Sequence, residues 1–154
     1  MKTVIVLMII SLLSTQLQAL EDDTILSQSV EKEFLIIKST TSYDEAEAFS
    51  KQMAKKLSIK LDLRGLVFNK KSFLTFSKTE CQDFGYPYYL GRGRYDDGEY
   101  ISIEHSSFYD EFKDGYYIVV VASGDSILSS LKKVKKIVPD AYVKKEKIYM
   151  GCVH

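Results

Sequence analysis

The chain has 154 residues, with 21 Lys and Arg balanced by 21 Asp and Glu, 45% hydrophobic residues and two cysteines. That length is about one domain's worth, enough to bury a core without help from metals. A zero formal charge provides no electrostatic footprint for nucleic acid, so nucleic-acid binding is excluded as an expectation.

The N-terminus reads as a targeting signal. Lys2 precedes an uncharged apolar run over residues 3–13, a polar stretch ends in the small residue Ala19, and Glu21, Asp22 and Asp23 follow. This is the order of a secretory signal peptide, and the run is shorter than the roughly 20 residues that span a bilayer. We expect a signal peptide over residues 1–19, with an uncleaved anchor as the alternative. The remainder is expected to be exported, periplasmic or extracellular, with no stable membrane span. Residues 20–32 are polar and acidic and read as a flexible lead-in to one domain over residues 33–154.

Residues 34–38 (FLIIK) form a continuous apolar run, the pattern of a buried strand. Ser42 and Glu45 have capping-box spacing, and Ala46, Phe49, Met53 and Leu57 follow at helical intervals. Residues 59–63 (IKLDL) alternate as a strand does, and Arg64 with Gly65 reads as a turn. Later, residues 73–76 (FLTF) predict a short strand. Asp97 followed by Gly98 predicts the tight turn of a hairpin over residues 88–104, and Asp114 with Gly115 predicts a second turn. Residues 116–122 (YYIVVVA) are the strongest strand in the chain. Ser123, Gly124 and Asp125 offer a turn and caps, Ile127, Leu131, Val134 and Val138 form a helical stripe, and Pro139 stops it. Residues 141–144, continued by 148–150, predict the last strand. The expected fold is therefore α+β: two strand–helix–strand halves, 33–65 and 116–150, around a hairpin-containing insertion at 66–115, in a ferredoxin-like split βαβ arrangement.

The segments FLIIKSTTSYDEAEAFSKQMAKKL and YYIVVVASGDSILSSLKKVKKIVPDAYVKK resemble the two halves of SPOR domains, across about half of the mature chain. The resemblance implies a small cell-envelope module that binds peptidoglycan, notably glycan strands stripped of their peptides.

The most distinctive composition lies between residues 86 and 117, which hold eight of the eleven tyrosines, together with Arg92 and Arg94. Tyrosine rings pack on sugar faces while their hydroxyls stay wet, and guanidinium groups grip carboxylates; strands also favour tyrosine for packing alone. Tyr86, Tyr88, Tyr89, Arg92, Arg94 and Tyr95 are the candidate ligand-binding residues. Glu104, His105, Ser106 and Ser107 carry the residue types of acid–base or nucleophilic chemistry. Strand parity, however, sends Glu104 and His105 to opposite faces, so a plain surface histidine is expected. Cys81 and Cys152 are an even pair in an exported chain and are expected to form a disulfide, with two buried thiols as the alternative. No metal or other cofactor is indicated, since the cysteine and histidine spacings are not those of ligands. The expected function is non-catalytic binding of peptidoglycan or another envelope polymer. The alternatives are an interaction module or inhibitor for another secreted protein, and an unrecognised hydrolase.

Overall fold

A computed structural model describes residues 28–82 and 85–151. The expected signal peptide and Cys152 lie outside the described residues. The described residues divide into two units, one of residues 31–82 with 85–148, the other of residues 28–30 with 149–151. In the described part of the second unit, the Met150 N–H donates to the Gln28 carbonyl at 2.9 Å. The sheet and helices belong to residues 31–148, apart from the outer ends of the first and last strands.

The elements in chain order are β1 (Ser29–Thr40), α1 (Tyr43–Leu57), β2 (Leu66–Asn69), β3 (Phe73–Phe76), β4 (Gly98–His105), a 3-10 turn (Ser106–Phe108), β5 (Tyr117–Gly124), α2 (Leu128–Val134) and β6 (Tyr142–Tyr149). The protein is α+β: a four-stranded sheet in the order β4-β5-β1-β6, a separate β2-β3 hairpin and two helices. β1 and β4 both run antiparallel to β5, which lies between them.

Both faces of this sheet are covered, which explains why its central strands read as unbroken apolar runs. On one face Leu35, Ile37, Ile101, Ile103, Val119 and Val121 pack with Ala46, Met53 and Leu57 of α1 and with Val134 of α2. Each such aliphatic side chain contributes about 1.5–3 kcal/mol when fully buried. The other parity of β1 carries Phe34, which meets the edges of Tyr109 and Phe112 at centroid distances of 5.4 and 6.4 Å.

Several local expectations hold. Ser42 caps α1, its hydroxyl accepting from the Glu45 N–H at 3.3 Å. Glu45 does not reach back to the Ser42 N–H; that group donates to the Thr40 hydroxyl, which in turn donates to Glu45. The residues of the second helical stripe are buried or half-buried, although α2 ends at Val134 and tighter turns carry the chain to Val138 before Pro139. No cap comes from Ser123 or Asp125; instead the Ile127 N–H donates to the Glu33 carboxylate at 3.3 Å. The strand over 73–76 forms as β3.

Three expectations are corrected. β1 begins at Ser29, so residues 29–32 are strand and not lead-in. Residues 59–63 form no sheet strand: Leu61 makes a single parallel bridge with Ile101, and β4, from the supposed insertion, joins the sheet instead. The hairpin over 88–104 does not form either, because β4 pairs with the buried apolar β5 and residues 88–97 carry no strand. Gly93 holds this segment close against the sheet. Its φ is +101°, and a Cβ there would stand 2.8 Å from Phe34 Cζ.

Gly93→Ala is expected to destabilise the protein by roughly 3 kcal/mol, combining a left-handed backbone cost of about 1–2 kcal/mol with about 1–3 kcal/mol of overpacking. Urea unfolding measures it; an unchanged midpoint would mean that residue 93 does not rest on Phe34.

Candidate functional site

Segment 86–95 contains the expected binding residues, and the structure sorts them into three groups. Arg92 is fully buried. Its Nε donates to Ser123 Oγ at 3.0 Å, Nη1 to the Tyr100 carbonyl at 2.9 Å and to Ser102 Oγ at 3.0 Å, and Nη2 to the Gly98 carbonyl at 2.8 Å. The guanidinium also stacks 3.6 Å from the Tyr100 ring centroid. Burial lowers its pKa, and the Tyr100 ring and Glu104 work in the opposite direction. Arg94 is buried too, 5.4 Å from the Tyr95 ring. The arginines therefore do not form a ligand-gripping surface: Arg92 fastens its segment to the sheet, and this corrects the expectation for both.

Beside Arg92 lies a buried polar cluster. Glu104, with no exposed surface, accepts from Arg64 Nη1 at 2.8 Å, from the Tyr109 hydroxyl at 3.2 Å and from the Tyr89 hydroxyl through a short bond. Arg64 also donates to the Leu90 carbonyl and, through Nε, to Asp96 at 2.8 Å. Burial works against the charge of Arg64, but Glu104 and Asp96 outweigh it and raise its pKa. Burial first, and Glu104 second, push the phenols of Tyr89 and Tyr109 well above their ordinary range, so both stay neutral donors. A carboxylate so enclosed is stabilising only while its donors remain in place.

The second group consists of Tyr88 and Tyr89, which line a cleft of about 300 Å³ with Ser72, Phe73, Ser107 and Phe108. Tyr89 stacks on Phe108 at 3.8 Å between centroids. Phe73 and Phe108 are each 42% exposed, and Ser72 Oγ in the cleft wall has no hydrogen-bond partner among the described residues. The third group, Tyr86 and Tyr95, stands outside this lining. Both are exposed, and the Tyr86 hydroxyl accepts from Asn69 Nδ2 at 2.8 Å.

His105 is buried, correcting the expected surface position. It stacks on Phe73 at 4.0 Å with the planes 4° apart, and meets the Tyr117 ring at 5.0 Å. Its Nδ1 lies 2.6 Å from Ser107 Oγ and accepts from the Ser107 N–H at 3.4 Å. Nδ1 is thus an acceptor that caps the 3-10 turn, and burial lowers the imidazole pKa. Parity does separate Glu104 from His105: the first meets the polar cluster, the second the aromatic wall. Cys81 is a buried thiol, and its sulfur donates to the Phe76 carbonyl at 3.6 Å.

Sequence reasoning missed Phe73 and Phe108 as site residues. A phenylalanine in a short strand and another after two serines look like ordinary packing residues; only the fold brings them together. No family model matches the chain, and neither does any curated protein or solved structure.

Two measurements check these assignments. Arg92→Lys is expected to cost about 3 kcal/mol or more, since an ammonium cannot satisfy the forked set of acceptors and each orphaned buried group costs about 1–3 kcal/mol. A variant as stable as the parent would return Arg92 to the surface. For His105, the folded pKa lies below the unfolded value, so the unfolded chain takes up the proton first and stability declines as pH falls below about 6.5. The stability gap between the parent and His105→Phe is expected to shift against the parent between pH 7 and pH 5, measured by denaturant unfolding. A constant gap would mean that the imidazole titrates alike in both states.

Proposed function

We propose that this protein is an exported, non-catalytic binding module of the cell envelope, and that its ligand is a sugar ring of a glycan polymer such as peptidoglycan. The observation that carries the reading is the cleft walled by Phe73, Tyr88, Tyr89 and Phe108, with Ser72 and Ser107 also in its lining. Aromatic faces take up the C–H side of a pyranose. Tyr89 is held by its bond to Glu104 and by Phe108, so little side-chain freedom is lost on binding.

The topology supports a SPOR-like, ferredoxin-like arrangement. Counted along the chain, the four sheet strands lie in the order 2-3-1-4, with one helix between the first and second and another between the third and fourth. The other face of the sheet is covered by the Arg92 segment, which favours the cleft over the sheet surface as the contact. The Ser107–His105 pair reads as a turn cap, so no nucleophile is assigned. A second reading, contact with another secreted protein, draws on Val67 and Phe68 of β2, each 45% exposed and outside the cleft lining.

Purified protein is expected to be retained by sacculi, more strongly after amidase treatment, and Phe108→Ala combined with Tyr88→Ala is expected to lower retention about tenfold, the loss of roughly 1.4 kcal/mol. Sedimentation with intact and treated sacculi measures this. Retention by neither would remove the glycan reading, and retention unchanged by the double variant would move the contact away from the cleft.

A further inference from the structure

A second cleft, of about 280 Å³, lies on the other side of the 3-10 turn: Ser106 lines it, while the next residue, Ser107, lines the aromatic one. Its walls include Lys113, Lys144, Phe112, Tyr116, Tyr142 and Ser39, and no acidic residue is among its lining. In a chain with zero formal charge, this is a concave surface with charge of one sign only. Neither lysine forms an ion pair among the described residues, whereas Lys145, the neighbour of Lys144 on β6, pairs with Glu31 at 2.6 Å.

Each ammonium group has neutral contacts that steady it, and Lys144 also lies within electrostatic reach of Glu146. Lys144 Nζ donates to the Glu111 carbonyl and lies 4.6 Å from the Phe112 ring centroid. Lys113 Nζ lies 5.7 Å from the Tyr116 ring. Cation–π contacts of this kind steady a side chain without neutralising it, so the charge remains available to a ligand. The hydroxyls of Ser39 and Tyr142 share a hydrogen bond at 3.4 Å, which leaves one of their two protons for a ligand. Glu146, two residues on from Lys144, is buried, accepts the Glu111 N–H at 3.0 Å and lies outside the cleft lining. Burial raises its pKa, and the charge of Lys144 works in the opposite direction.

We propose that this cleft binds a carboxylate carried on a ring-sized body, with Lys113 and Lys144 offsetting the charge and Phe112 and Tyr116 packing on the ring. A monoanion suits the site better than a phosphate, because the apolar walls make each further unit of charge costly to desolvate and only two ammonium groups, one already bonded to a carbonyl, meet it. The inference is independent of the sugar reading of the aromatic cleft.

The test titrates the full chain with cyclohexanecarboxylate, neutral cyclohexanecarboxamide and cyclohexyl phosphate, followed by NMR shifts of the lysine ε-methylenes and by calorimetry. Saturable carboxylate binding in roughly the millimolar range is expected, weakened about tenfold or more in Lys113→Gln/Lys144→Gln and weakened by added salt. The double variant should melt like the parent and keep its retention on sacculi. Equal binding of the carboxamide, no saturation, or an unchanged affinity in the double variant would overturn the proposal. Tighter binding of the phosphate would overturn the carboxylate assignment.

Discussion

The structure turns on a guanidinium enclosed by protein. Arg92 lies against one face of the sheet and donates to carbonyls and hydroxyls of β4 and to Ser123 of β5, all groups that would otherwise need water. Burying such a cation is costly, and the cost is met only because every acceptor is rigidly placed by the sheet ladder and Tyr100 shields its flat side. A segment with little apolar content thereby covers a face that would otherwise be solvated.

The position of that segment determines the rest of the region. With Arg92 anchored, its own backbone N–H meets the Tyr109 hydroxyl at 2.8 Å, and Tyr109 and Tyr89 converge on Glu104. Arg64 then ties the same carboxylate to Leu90 and Asp96. Tyr88 and Tyr89 are left at the flank of β3 and β4, where Phe73 and Phe108 meet them. The cleft is thus a by-product of a buried electrostatic cluster, and its walls are only as firm as the Glu104 bonds behind them.

The legible parts of the sequence are those governed by local rules. Periodicity marks β1, α1, β5 and β6, and Ser42 marks the start of α1, because a helix cap and an apolar stripe are settled within a few residues. Partner choice is not legible. Asp97 and Gly98 satisfy a hairpin turn locally, yet the competing strand β5 offers a longer apolar surface to β4, and no short-range signal expresses that competition. The burial of Arg92 depends on carbonyls from residues 98 and 100 and on hydroxyls from residues 102 and 123, all outside its own stretch of chain. The same holds for the cleft, which draws on residues 72–73, 88–89 and 107–108. Tyrosine density points to the right region, but it cannot tell the two tyrosines that line the cleft from the arginines beneath.

The single bridge at Leu61 has a wider consequence. Ile101 sits on β4, a boundary strand of the sheet, and its outward N–H and C=O are both taken, by the Lys60 carbonyl and the Asp62 N–H at 2.8 Å each. A stretch too short to count as a strand therefore acts as a stopper. At the opposite boundary, β6 presents Lys144 and Lys147, charges that discourage a neighbouring chain from docking in register. Sheet extension between copies is thus opposed on one side by occupied backbone groups and on the other by repulsion.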